Sequence, residues 1–173
     1  MLDLRTPKGR TFWSAFAAIV ACDVVTKWLA VEHLRMYLPR EVFGQLFRLT
    51  LVYNPGAAFG SHFGEHSRVI FSLLSLVVLV VLARLYRETG PEQRLQSLGL
   101  GLVVGGAIGN LIDRVRSPMG VVDFIDVGLG DLRFWTFNVA DAGVSVGAVL
   151  LAWVLSREPA PGREAEGAEG AAA

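Results

Sequence analysis

Four stretches of this chain are almost free of charge, and their spacing sets the expected architecture. Leu95–Ile112 and Val69–Ala83 contain no Asp, Glu, Lys or Arg. Phe134–Ser156 contains only Asp141, and Thr11–Val31 only Asp23 and Lys27. A helix needs about 20 mostly apolar residues to cross a bilayer. The pattern predicts four spans, at about residues 11–31, 68–86, 95–114 and 134–156. The link between the second and third is short, and Gly90-Pro91 breaks it. The other two links are long. In the first, Phe47–Asn54 alternates as a strand does, and Asn54-Pro55-Gly56 then turns the chain. In the second, Val121–Asp126 reads as a short strand before Gly128–Asp131. The expected fold is an all-α membrane protein of four transmembrane helices, with a small extramembrane β element built from both long links.

Composition agrees with the pattern. Hydrophobic residues make up 53% of the 173 and charged ones 18%, where a soluble domain carries about 25% charge. Mean hydropathy is +0.47. A soluble globular protein is excluded. Net charge is zero, so the chain lacks the basic footprint of a nucleic-acid binder. With Cys22 as its single cysteine, it has neither a disulfide framework nor a four-cysteine zinc site. Residues 158–173 are dominated by Pro, Gly, Ala and Glu and read as a disordered tail. Arg5, Lys8 and Arg10 before the first apolar run imitate a signal peptide, and Cys22 a lipoprotein processing site. Yet the run continues through Val31, long enough to span, and reads as a retained helix.

Lys and Arg density is highest at the N-terminus and around the short link, which places both termini in the cytoplasm. Parity adds a conclusion independent of orientation. With four spans, the end of the first, the ends of the link preceding the second, the end of the third and the start of the fourth share one side. Lys27, Asn54, Asn110, Asp113, Arg114, Asp123, Asn138 and Asp141 all fall there. Ionisable groups at membrane depth are costly and mark function by default. Helical spacing puts Asn138, Asp141 and Ser145 on one face, and Gly106, Asn110 and Asp113 on another. Asp23 and Lys27 are four residues apart and can pair. Gly101, Gly105 and Gly109, with Gly143 and Gly147, form small-residue ridges that bring the third and fourth spans together.

Asp113, Asp123 and Asp141 are the acids best placed to meet. Two carboxylates in one site cannot both ionise easily. Such a pair can activate water and protonate a leaving amine. The competing reading is an ion-pair network that serves packing, and spacing alone leaves open which acids form the pair. His62-Phe63-Gly64-Glu65-His66 matches the H-x-x-E-H zinc pattern, but Gly64 weakens the helix it needs. These residues read instead as the solvated entrance of the second span. Cys22 reads as a buried small hydrophobe rather than a nucleophile. Trp13, Trp28, Trp135 and Trp153 sit near span ends, as an interfacial belt does. A small proton-coupled carrier would use similar buried charges, but the internal repeats it favours are not seen.

Five blocks carry a resemblance. They are Cys22–Lys27 (CDVVTK), Asn54–Gly60 (NPGAAFG), Gly106–Arg114 (GAIGNLIDR), Val121–Phe124 (VVDF) and Phe137–Asp141 (FNVAD). In this order they resemble the signature blocks of lipoprotein signal peptidase, signal peptidase II. The resemblance implies an aspartic endopeptidase of the bacterial inner membrane. It would remove the signal peptide of a prolipoprotein just before a cysteine carrying diacylglycerol. It implies Asp123 and Asp141 as the catalytic pair, with Asp23, Lys27, Asn54, Asn110, Asp113, Arg114 and Asn138 shaping the site and holding the substrate. The expected partners are lipidated prolipoproteins and membrane lipid, met by a monomer at an active site toward the periplasmic side, with no metal, cofactor or nucleic acid.

Overall fold

The computed structural model describes residues 4–56 and 66–157. The 158–173 tail, Ala57–Gly60 of the second block and most of the H-x-x-E-H segment lie outside them. Three long apolar helices are present: α1 (Pro7–His33), α2 (Ser67–Glu88) and α3 (Arg94–Arg116). A shorter one, α4 (Val139–Leu155), follows. Between them lie β1 (Arg40–Phe43), β2 (Phe47–Asn54), β3 (Val121–Leu129) and β4 (Leu132–Arg133). The strands form one antiparallel sheet in the order β1-β2-β3-β4, drawn from both long links.

The expected fourth span from residue 134 is corrected. Residues 134–137 are not helical. Phe137 exchanges backbone hydrogen bonds with Ile125 at 2.8 and 3.0 Å, laying the segment along β3. The helix starts where Asn138 caps it. Its side chain accepts from the Asp141 amide, and the Asp141 carboxylate accepts from the Asn138 amide. Hydropathy cannot tell an extended aromatic run from a helical turn, whereas the cap can. At 1.5 Å per residue, the 17 residues of α4 rise about 25 Å.

Helix α3 is the centre, packed on α1 and α4, with α2 on its flank. The glycine ridges work differently from the expectation. Gly101 and Gly105 face α1, and a Cβ on Gly101 would lie 2.6 Å from the Phe12 carbonyl oxygen. The approach to α4 is made by Gly99, Gly106 and Gly147. In lipid, close van der Waals packing has to replace the hydrophobic effect between helices, and these stripes provide it on two sides of α3. An apolar cluster of Phe12, Leu82, Leu100, Val103 and Leu151 closes one end of the bundle. The outer face of α2, with Leu73, Leu74, Val77, Val80 and Val81, is exposed. That face suits acyl chains rather than water. Cys22 is exposed on α1, correcting its placement as buried, because it lies outside the set of α1 residues, such as Ala15, Asp23, Lys27 and Ala30, that are buried.

The sheet sits at the opposite end. Asp126 ties β2, β3 and β4 together. Arg48 donates to its Oδ2 (2.7–2.8 Å), and Arg133 donates to its Oδ1 (2.7 Å) and to the Gln45 carbonyl (2.7 Å). Burial pulls the Asp126 carboxyl upward, but the two arginines outweigh it and hold it below the usual carboxylate range.

Candidate active site

Sequence-distant residues meet where α1, α3 and α4 reach the sheet. Register begins the assembly. Tyr53 pairs with Val122 and Val52 with Asp123 across β2 and β3, so Asn54 and Asp123 become neighbours after a bulge between Leu49 and Val52. The Asn54 amide donates to Asp123 Oδ2 at 3.2 Å, and its own oxygen takes the Gly56 amide at 3.0 Å. Gly120 makes the approach possible. Its φ is +98°, and a Cβ there would collide with the Asn54 carbonyl.

The Phe137–Ile125 pairing delivers Asn138 to the same place. Asn138 is fully buried, and its Nδ2 donates to Asp123 Oδ1 (2.7 Å), Asn110 Oδ1 (3.1 Å) and the Val122 carbonyl (3.2 Å). Asn110 then donates to Asp141 Oδ1 at 2.7 Å, while Asp141 Oδ2 takes the Asn138 amide at 3.2 Å. Asp123 and Asp141 are thus joined by two amide side chains, Asn138 and Asn110. Each of their four oxygens accepts an N–H, so both carboxylates are held in orientation. Asp141 also occupies the first turn of α4, where the helix dipole favours negative charge. Burial, and then the charge of Asp141, push the Asp123 carboxyl up to about 7 against the pull of Asn54, Asn138 and Lys27.

A cationic floor lies beneath. Lys27 Nζ contacts Asp23 Oδ2 at 2.7 Å, Asp113 Oδ2 at 2.9 Å and Asn110 Oδ1 at 3.0 Å. Its three hydrogens are thereby used. Asp113 Oδ2 also takes the Val122 amide at 3.1 Å, which pins β3 to α3. Asp113 is therefore absorbed by Lys27 and the backbone, and it is Asp123 that shares the amide chain with Asp141. Arg114 lies within electrostatic reach of Asp113, Asp123 and Asp141, with its guanidinium carbon 6.0 Å from the Phe71 ring centre. Its buried Nε has no hydrogen-bond partner among the described residues. Ser145, expected on the face of Asn138 and Asp141, is exposed instead and takes no part in this network, because the seven-residue step carries it along α4 away from the sheet.

Two contacts were not readable from spacing within one element. Asp23 Oδ1 accepts the Ala140 amide at 2.9 Å, so an α1 carboxylate satisfies the start of α4 across 117 positions. Gly109 makes room for it, since a Cβ there would stand 2.5 Å from Asp23 Oδ2.

Comparison with known proteins meets this geometry. The family model for signal peptidase (SPase) II matches residues 15–157. The chain belongs to the signal peptidase II family. The matched region takes in most of α1, the other three helices and the sheet, so every site residue above lies inside it. Among relatives, the lipoprotein signal peptidase of Hydrogenovibrio crunogenus is 43% identical over 143 residues, covering 82% of this chain and 81% of that one. That of Geobacillus kaustophilus is 39% identical over 140 residues, covering 81% and 88%. A solved bacterial membrane enzyme superposes with a TM-score of 0.77 at 26% identity, covering 89% of this chain and 92% of the other. As a signal peptidase II, the chain is a bacterial membrane protease.

Proposed function

We propose that this signal peptidase II removes signal peptides from lipidated prolipoproteins, cutting just before the diacylglyceryl cysteine, with Asp123 and Asp141 as an aspartic dyad. The observation that carries this reading is the chain Asp123–Asn138–Asn110–Asp141. It holds two carboxylates with neither in an ion pair at salt-bridge distance among the described residues, while the third acid, Asp113, is paired with Lys27.

In this reading Asp141, at the helix N-terminus, is ionised and Asp123 carries the proton. Asp141 takes a proton from a water as that water attacks the carbonyl carbon before the cysteine. Asp123 gives its proton to the carbonyl oxygen, forming a tetrahedral diol. Collapse breaks the C–N bond as a diol hydroxyl gives its proton back to Asp123 and Asp141 gives its proton to the leaving amine, which resets the pair. Arg114, within electrostatic reach of both carboxylates, is assigned to hold the substrate backbone. Lys27 has no hydrogen left for substrate and serves as the counter-ion of the floor.

The substrate is itself anchored by an apolar signal helix, and it reaches the site sideways from the membrane. Four spans, termini in the cytoplasm and a periplasmic-side site complete the proposal, with the enzyme acting as a monomer. The helices support the sidedness. The Lys8 amide bonds the Pro91 carbonyl at 3.1 Å, so the start of α1 and the α2–α3 link share the end opposite the acids. Reporter fusions after Gly90 should read cytoplasm and those after Met119 periplasm; the reverse pattern overturns the orientation.

The activity test is cleavage of a diacylglyceryl prolipoprotein by the purified protein in detergent. The lipidated form should shift on a gel, and its unlipidated twin should remain intact. Equal cleavage of both would overturn the lipid requirement. EDTA should leave the rate unchanged, and inhibition by it would revive the His62–His66 zinc alternative.

A further inference from the structure

One cavity lies away from the acids. A groove of about 830 Å³ lies at the other end of the bundle, between α1, the end of α2 and the α2–α3 link. Its floor is apolar, formed by Phe12, Leu79, Leu82 and Val104, and Lys8 and Arg87 line its rim. Lys8 is held in place: Nζ donates to the Thr89 carbonyl at 2.5 Å and lies 4.5 Å over the Tyr86 ring. One hydrogen is used there, and the ammonium retains others for an anion. Trp13 also lines the groove, and its buried Nε1 has no hydrogen-bond partner among the described residues.

We propose that this groove binds an anionic phospholipid, its phosphate between Lys8 and Arg87 and the upper part of an acyl chain along Phe12 and Leu82. Charge complementarity selects this occupant. Lys8, Arg10, Arg84, Arg87 and Arg94 gather at this end, against Glu88 and Glu92 among the described residues. Basic pockets between helices on the cytoplasmic side suit such headgroups. The apolar floor distinguishes a lipid from a free anion, which would gain nothing from it. The cationic leading segment of a substrate signal peptide would be repelled by the same rim. The inference goes beyond the peptidase reading, because none of these residues touches the acid site.

Native mass spectrometry of the detergent-purified protein tests it. The probes are phosphatidylglycerol, phosphatidylcholine with the same chains, and inorganic phosphate. Phosphatidylglycerol should bind roughly 30-fold more tightly than phosphatidylcholine, at about fivefold for each basic side chain near an anionic headgroup. Arg87→Gln, at an exposed position, should remove about fivefold of that preference, and adding Lys8→Gln should remove the rest. If the double variant fails to fold, Arg87→Gln alone decides. Cleavage of a lipidated prolipoprotein in detergent should be unchanged in Arg87→Gln, which separates this site from the acids. Equal affinity for the two lipids, unaltered preference in Arg87→Gln, or phosphate binding as tightly as lipid would each overturn the proposal.

Discussion

Asp123→Asn and Asp141→Asn should each yield an inserted, folded protein that has lost about 10²-fold or more of its turnover, the usual contribution of an acid–base group. Asn keeps the shape of Asp but cannot pass a proton between two oxygens. For a proposed dyad acting as one unit, the double variant should cost little beyond either single one. Asp113→Asn is the contrast. It removes a partner of Lys27 and of the Val122 amide, so its damage should fall on stability first.

The pH behaviour supplies a second readout of the pair. Asp123 has an ordinary value of 3.8 and is raised to about 7 by burial and by Asp141. Between those values the folded protein holds a proton that the unfolded chain releases. The corresponding stability is full below the lower value and is lost as pH rises through the upper one. Stability of the wild type should therefore fall by a few kcal/mol more than that of Asp123→Asn from pH 4 to 7.5, at about 1.4 kcal/mol per unit. The rate should follow two apparent pKa values that belong to the pair. Thermal melts and gel-shift cleavage across pH measure both. Substantial activity in Asp141→Asn, or in Asp123→Asn with activity abolished by Asp113→Asn, would sink the assignment. Identical pH slopes would remove Asp123 as the proton carrier.

Lys27→Ala should cost about 3–5 kcal/mol of stability, as breaking one side of a buried ion pair does. The side chain is 5% exposed and its Asp23 partner fully buried, so Asp23 would stay as an uncompensated charge deep in α1. Asp113 would lose its cation as well. Asn110 would lose the contact that turns its amide toward Asp141, so activity should fall together with the melting temperature. Pairing Lys27→Met with Asp23→Asn should recover part of the stability, because the charge left behind is then removed. An unchanged melting temperature with activity gone would show that Lys27 acts on substrate instead.

The helices and strands were largely legible because apolar runs and alternation are local. The three long helices, and β2 at residues 47–54, follow from consecutive residues and from what a bilayer demands of them. Parity then put the polar residues at one end without any tertiary information, since every span reverses the chain. The Asp23–Lys27 pair was readable for the same reason, through helical spacing within one element.

The start of α4 was less legible, because Phe134–Phe137 are as apolar as a helix but bond to β3. Which glycines of α3 face which neighbour was hidden too, since a stripe shows that something approaches and not what. The choice between Asp113 and Asp123 came only from family resemblance. Their difference lies in contacts made across the fold: the Lys27 ammonium and the Val122 amide engage Asp113, while Asn54 and Asn138 hold Asp123. Hydrophobic pattern and spacing, set by neighbours in the chain, determined the spans and the end at which polar groups collect. Partners 15 to 117 positions apart, brought together by register and close helix packing, decided which carboxylates are spent on ion pairs and which are held by amide side chains.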